Sequence, residues 1–344
     1  MRRLYTSALA LALLAGCDGN PLLPPPPDPG TGGGTDGIHN VDLPPGTANP
    51  TSKSDIVRQE SKDTSPGSPT YGNGFATGYD YNAADDTFTV DGLGFDGANV
   101  YQRGTAVASI NGYAVYESDS TYADDATGTP IDQFSHRVLY GVSKTGRTSF
   151  AIVRTGAYIP YGFGGFIYQR EGGVTLPTSG QAHFAGAYGG IRDFDGASGL
   201  QYTDGQMTID IDFNDFNEGN AVKGYVTDRH YYDIDGNDIT DSYVTALNEA
   251  SGGATITELP TLVFAVGPGT MDSNGEISGN VGSTTIDSSG AATTYEAGTY
   301  YAVVAGDTTT ANSEVTGIIV VTSTDPVNPG VTARETGGFI LYQE

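Results

Sequence analysis

The strict alternation of apolar and polar residues in MTIDIDF, residues 207–213, is the feature that most constrains the fold. Each odd position holds an apolar side chain, and each even position holds Thr or Asp. A period of two places all the apolar side chains on one face of an extended segment. The segment is therefore predicted to be a half-buried antiparallel strand.

Runs of the same kind recur along the chain, each bounded by Gly, Asn, Asp or Ser, at 99–118, 149–156, 261–267, 299–306 and 316–323. Only residues 241–250, DSYVTALNEA, indicate a short helix. The 344 residues include 50 Gly and 22 Tyr but no Trp, which suits many short strands joined by Gly-rich turns. The predicted fold class is all-β with antiparallel pairing.

The first seventeen residues, MRRLYTSALALALLAGC, combine a basic start, an apolar run too short to span a bilayer and the only cysteine, Cys17. They predict a signal peptide over residues 1–16. The ending LLAGC resembles the bacterial lipobox, which implies a lipidated Cys17 anchored in the outer membrane. Asp18 resembles an inner-membrane retention signal of enteric bacteria, and an ordinary secretory signal with a free thiol is the alternative.

Residues 17–70 are rich in Pro, Gly, Ser, Thr and Asp and lack an alternating apolar pattern. Such a segment buries too little surface to offset the entropy lost on ordering. It is predicted to be a disordered tether between the lipid anchor and the body.

A phrase that occurs twice suggests how the body is divided. GGFIYQRE at 164–171 returns as GGFILYQE at 337–344. If each copy is the closing strand of a β-unit, the units cover residues 71–175 and 176–344, joined at LPTSG, 176–180. The alternative is chance similarity between two strands of a Gly- and Tyr-rich chain.

The second unit resembles the β-barrel of the transferrin-binding protein B family. The resemblance rests on GQAHFAGAYGG at 180–190, on the hairpin MTIDIDFNDFNEGNAVKG at 207–224 and on SEVTGIIVV at 313–321. It implies a small antiparallel barrel at 176–344, preceded by a smaller handle-like β-domain, and capture of a protein or of an iron- or haem-carrying solute. The family's Trp and its usual C-terminal phrase are missing and the units are smaller, so transferrin is not implied as the ligand.

The charge of the chain excludes one class of partner. The formal net charge is -26, and removal of residues 1–16, with two arginines and no acid, changes it to -28. Binding to nucleic acid depends on neutralising phosphates with Lys and Arg, so no nucleic-acid partner is expected. A basic protein or a divalent cation is compatible with this charge.

Catalytic motifs are absent from the sequence, and the best enzymatic arrangement is the pair Asp210 and Asp212. On a strand they lie roughly 6.5 to 7 Å apart, a carboxyl spacing found in inverting glycosidases. The same alternation turns both toward solvent, where general acid catalysis is not supported. The four histidines, His39, His136, His183 and His230, have no ligand spacing and are interpreted as structural.

The sequence DIDGND at 233–238 offers the oxygen ligands Asp233, Asp235 and Asp238 in a pattern that Ca²⁺ prefers. It departs from the EF-hand template, and Asp-Gly-Asn is also common in hairpin turns. A turn is therefore predicted in preference to a metal site, and no cofactor is expected.

These observations predict a non-catalytic envelope lipoprotein that binds a protein or solute. A structural lipoprotein without a ligand and an acidic hydrolase remain as alternatives. Because side chains fill the interior of a small barrel, recognition is expected at the long connections, Asp119–Gln133 and Tyr231–Pro260, which are rich in acids and Tyr.

Overall fold

A computed structural model describes residues 43–68, 70–157, 161–215, 219–253, 255–266 and 269–344. It confirms the predicted fold class, a small antiparallel barrel preceded by a smaller β-domain. Cys17, His39 and the proposed signal peptide lie outside the described residues.

The strands of the first β-unit are β1 (Ile56–Gln59), β2 (Gly78–Asn82), β3 (Thr87–Asp91), β4 (Tyr101–Arg103), β5 (Ser109–Ile110), β6 (Tyr113–Glu117), β7 (Thr121–Ala123), β8 (Pro130–Asp132), β9 (His136–Val142), β10 (Thr148–Thr155) and β11 (Gly164–Arg170). The elements that follow are β12 (Val174–Thr175), β13 (Gly180–Asp195), β14 (Gln201–Asp215), β15 (Gly219–Tyr232), α1 (Thr240–Ala250), β16 (Leu262–Phe264), β17 (Glu276–Ile286), β18 (Ala292–Asp307), a 3₁₀ turn (Thr308–Thr310), β19 (Asn312–Thr324) and β20 (Thr332–Gln343).

Eight strands close into the barrel in the order β18, β17, β16, β15, β14, β13, β20 and β19, because β19 also pairs with β18. All eight ladders are antiparallel, and β12 adds a short parallel pairing to β18. The alternation in 207–213 places its odd residues in the interior, where Ile209 and Ile211 are fully buried.

The first unit is a curled half-barrel in the order β1, β11, β10, β9, β6, β4, β3 and β2, with β5 paired to β6. The hairpin of β7 and β8 forms a separate two-stranded sheet. The run 99–118, predicted as one strand, is divided among β4, β5 and β6 because the turn at Gly112 reverses the chain. Of the run 261–267, only three residues form a strand, β16.

The repeated phrase lies in β11 and β20, the last strand of each large sheet in chain order. In β20, Gly338 faces the other unit, and a Cβ atom there would lie 2.2 Å from the ring of Phe150. The glycine is therefore needed for close packing between the units. Around this contact, one continuous apolar cluster joins Phe150 and Ile152 of the half-barrel to Ile318 and Ile340 of the barrel.

The expectation of a disordered tether through residue 70 is wrong for residues 43–68. The strand β1 pairs with β11 along its whole length, and Ile56 is fully buried. Arg58 donates two hydrogen bonds to the Glu276 carboxylate of the barrel, at 2.7 and 2.8 Å, and both side chains are buried. The segment is a structural strap that joins the half-barrel to the barrel.

The helix predicted over 241–250 is confirmed as α1, which buries Tyr243 and Leu247. Among the residues described, no helix combines the length and the apolar character that crossing a membrane requires.

Candidate functional site

The hairpin of β7 and β8 occupies most of the connection Asp119–Gln133, and all six of its strand residues are exposed. Its register places Tyr122 opposite Ile131, so these two side chains share one face of the ribbon. They are 37% and 44% exposed. Two adjacent apolar side chains in a ribbon with no core of its own are available for contact with a partner.

Hydrogen bonds within the hairpin fix its turn. The Asp124 carboxylate accepts from the N–H groups of Ala126 and Thr127 and from the Thr127 hydroxyl. These bonds, led by that of the Thr127 hydroxyl, lower the pKa of Asp124, so the carboxylate is ionised at neutral pH. Gly128 completes the turn at φ +68°. The hairpin is thus held in one conformation before any partner binds.

Exposed Phe95 and half-buried Phe134 form an aromatic pair, and Phe134 lies just after β8. Phe95 is 69% exposed, and its ring meets that of Phe134 edge to face at 5.7 Å. The Phe134 N–H donates to the Phe95 carbonyl oxygen at 2.7 Å, and Gln133 joins Phe134 to the end of β8. We call Phe95, Phe134, Tyr122 and Ile131 the hairpin patch.

Phe95 has a backbone φ of +58°, in the left-handed region. For a bulky residue this conformation is a genuine outlier that costs of order 1–3 kcal/mol. It persists here because the Phe95 carbonyl is fixed by Phe134. The fold thus holds a large apolar ring toward solvent at an energetic cost.

A network of buried polar groups forms hydrogen bonds to Phe134 of the hairpin patch. The Phe134 carbonyl oxygen accepts from Ser118 Oγ and from His136 Nδ1, both at 3.1 Å, so this nitrogen carries the ring proton. The His136 ring faces that of Tyr101, whose hydroxyl donates to Asp96 at 3.0 Å. Burial lowers the pKa of His136 to about 4, so the ring is neutral at pH 7.

The charge around the patch has one sign. Residues 119–133 contain four acids, Asp119, Asp124, Asp125 and Asp132, and no Lys or Arg. The surface therefore combines apolar contact area with a negative field.

The second predicted recognition segment, Tyr231–Pro260, is largely structural. The ring of Tyr243 in α1 meets that of Tyr231 at 5.0 Å, and together with Leu247 and Leu259 they form a small buried cluster. Buried contacts of this kind commit the helix to the barrel rather than to a partner.

The predicted turn at 233–238 is present. The Asp233 carboxylate accepts from the N–H groups of Asp235 and Asn237 and from the Asn237 side-chain amide. Gly236 adopts φ +84°. The Asp233 carboxylate is thus occupied by the turn that leads to Asp238. Within the described ranges, no group of three or more His, Cys, Asp or Glu side chains could hold a metal ion.

Asp210 and Asp212 lie on the outer face of β14, as the alternation predicts. His183 Nδ1 lies 2.6 Å and Lys223 Nζ 3.4 Å from the Asp210 carboxylate, and Gln181 donates to Asp212. Partial burial acts to raise the pKa of Asp210, but the hydrogen bonds of His183 and Lys223 outweigh it and lower the pKa. General acid catalysis needs a raised pKa, so this site does not favour a hydrolase.

The remaining described histidine, His230, lies 3.2 Å from the Asp204 carboxylate on the barrel surface. The sequence analysis missed Phe95 and His136 as parts of a site. The signal for Phe95 is GFDG at 94–97, a bulky aromatic residue between two glycines in a turn rather than in an alternating strand.

No family model matches the chain, and no curated protein matches it. Solved structures similar to it include transferrin-binding protein B of Haemophilus parasuis Hp5, as a double mutant (TM-score 0.34) and as a single mutant (0.36). Another is the intact protein Ap-TbpB with its N and C lobes (0.32). Each is 11% identical over 75–76% of this chain and 40–42% of the other, so the chain spans about two fifths of their length. They belong to the family that the barrel motifs resemble.

Proposed function

We propose that the chain is a non-catalytic, lipid-anchored binding module of the bacterial outer membrane that captures a basic protein through the hairpin patch. The observation that carries the proposal is Phe95, an aromatic side chain held 69% exposed on a left-handed backbone. A position that served only the fold would favour Gly at this φ. The strained aromatic residue is therefore explained best by contact with a partner.

The anchor is part of the same proposal. Cleavage after residue 16 would leave Cys17 as the first mature residue, and its acyl chains would hold the body at the membrane. Two or more acyl chains give stable anchoring, whereas a single chain gives only marginal binding.

The negative charge of the body explains why the partner is expected to be basic. A net charge near -28 attracts a basic surface over a Debye length of about 10 Å at 0.1 M salt. The rigid aromatic rings provide contact area at little entropic cost. Association should therefore weaken as salt rises, while the apolar contacts set the dissociation rate. An iron- or haem-carrying protein is included among the possible ligands.

The test is affinity capture with the lipid-free chain as bait, against envelope extract and host or medium solutes, at low and high salt. The informative variant is Phe95→Gly, which removes the ring and suits the left-handed φ, so the fold should be as stable as before or more stable. The matched control is Val142→Ser, which removes a side chain that is 51% exposed on β9.

We expect Phe95→Gly to lower capture at least about tenfold and Val142→Ser to leave it unchanged. A partner retained equally by Phe95→Gly would show that the patch is not the binding surface. Absence of any salt-sensitive partner, with iron and haem also tried, would leave a structural lipoprotein as the better description.

A further inference from the structure

We infer that the edge of β17 beyond β16 is a second binding site, separate from the hairpin patch, which takes a short extended peptide carrying a basic side chain. The site lies where the barrel wall is incomplete. The strand β16 has three residues, between the fourteen of β15 and the eleven of β17. Its register on β17 covers Gly282 and Val281 only.

Alternate residues of β17 direct their N–H and C=O groups toward this gap. Ser278 N–H donates to Thr270, and the Asn280 carbonyl accepts from Ala265, on the side of β16. At the other end, Asp287 N–H donates to Ala291, on the side of β18. Backbone groups alternate between the two sides of an antiparallel strand, so those of Thr284 and Ile286 point to the β16 side. The strand β16 supplies no residue opposite them.

Ser251 pairs with the chain just beyond β17, where its carbonyl accepts from the Ser288 N–H, whereas side-chain hydrogen bonds hold residues 255–260 away from the strand. Asn248 of α1 bonds both the N–H and the C=O of Ile256, each at 2.7 Å. Arg229 donates to the Pro260 carbonyl at 2.7 Å. Residues 255–260 are thus held toward the helix and the barrel interior, and their backbone does not pair with Thr284 or Ile286.

A cavity of about 530 Å³ occupies the space between this segment and β17. Ile256, Pro260 and Ile286 give it apolar walls, and Ile286 is 48% exposed. The volume lies in the range of small-ligand sites. Backbone groups of Thr284 and Ile286 that face the gap, beside apolar walls, match an added strand, with its main chain paired to β17 and alternate side chains in contact with the walls.

The negative charge of the cavity lining favours a peptide with a basic side chain. Glu258 and Asp287 line the cavity, and none of the residues around it is basic. Hydrogen bonds from the Ser289 hydroxyl and from the Ala291 N–H lower the pKa of Asp287, so it remains ionised. A Lys or Arg side chain on the bound strand complements these two carboxylates.

The probe is a fluorescein-labelled, end-capped peptide TVKVT, and its binding to the full chain is measured by fluorescence anisotropy. Only alternate amides of an added strand face β17. N-methylation of one alternate set should therefore lower the affinity at least about tenfold, whereas methylation of the other set should change it little. The peptide TVEVT should bind at least about tenfold more weakly than TVKVT.

The protein variant is Ile286→Pro, which removes an N–H that faces the gap and leaves the pairing with β18 intact. It should weaken binding at least about tenfold, and its thermal melt should match that of the wild type; Ile286→Val is the control that keeps the N–H. Phe95→Gly should bind TVKVT normally, which separates this site from the hairpin patch.

The inference would be overturned by no binding of TVKVT, by equal effects of the two methylation sets, or by full affinity in a folded Ile286→Pro. Loss of peptide binding in Phe95→Gly would place the peptide at the hairpin patch and would also overturn it. The peptide methylation series uses the wild-type chain and decides the question if Ile286→Pro does not fold.

Discussion

The protonation of His136 should make the stability of the fold depend on pH. The ring is buried under the hairpin patch, and burial lowers its pKa from 6.5 to about 4. Between these values the unfolded chain binds a proton that the native ring does not, so the free energy of unfolding falls as the pH falls. The difference of about 2.5 pH units, at about 1.36 kcal/mol each, gives a loss of about 3 kcal/mol.

Urea unfolding of the wild type at pH 7.5, 6.5, 5.5 and 4.5, followed by circular dichroism, measures this loss. His136→Gln should be less stable at pH 7.5 but should lack the decline between pH 6.5 and 4.5. His183→Gln, at an exposed surface pair, is the matched control and should keep it. Asp204 and Asp272, whose pKa values burial raises, are present in every variant, so their contributions cancel in the comparison.

An equal decline in His136→Gln and in the wild type would refute the reasoning, because the proton uptake would then lie elsewhere. A pH-independent wild type would refute it as well.

Further changes test the strap, the packing of the units and the anchor. Glu276→Gln leaves the buried Arg58 charge unpaired, so urea unfolding should show a loss of about 3–5 kcal/mol. Gly338→Val places a side chain on the Phe150 ring and should cost about 1–3 kcal/mol or more, with the midpoint of thermal unfolding lowered accordingly. Cys17→Ser should abolish labelling by palmitate and release the protein from membranes; a wild type without label would contradict the anchor.

The barrel could be predicted because the patterns that specify its strands lie within short stretches of sequence. Alternation in 207–213 fixes which side chains of β14 face the interior, and the neighbouring Gly-rich phrases mark where the strands turn. The register of a strand with one buried face follows from the same pattern. The outward position of Asp210 was correct for this reason.

The strap could not be predicted because its stability depends on distant residues. The strand β1 has only four residues, too few for a clear period, and its partner strand lies more than a hundred residues away. The carboxylate that pairs with Arg58 is 218 residues distant in the chain. A composition rich in Pro, Gly and Ser therefore indicated disorder where long-range contacts impose order.

The candidate site could be located from the sequence only in part. Acids and Tyr marked the connection 119–133, but the exposure of Phe95 and the burial of His136 depend on contacts with residues distant in the chain, Phe134 and Tyr101. A sequence gives residue types and local periods, whereas exposure is decided by elements that pack from elsewhere. The β17 edge was missed for the same reason, since nothing in 261–267 shows that the strand stops after three residues.

The burial of arginine side chains affects both the stability of the fold and the charge of its surface. Of the 15 basic residues in the chain, six arginines are buried in the part that the structure describes, which leaves at most nine for the surface. Eight of the 41 acids are also buried in that part of the chain, which leaves at most 33. The ratio of acids to bases thus rises from about 2.7 over the whole chain to about 3.7 outside the core. Buried ion pairs hold the two units together, as between Arg58 and Glu276 and between Arg154 and Asp193. Because these arginines are buried, few cations remain among the surface acids, and the hairpin patch and the β17 edge lie among charges that are mostly negative, which favours basic partners at both.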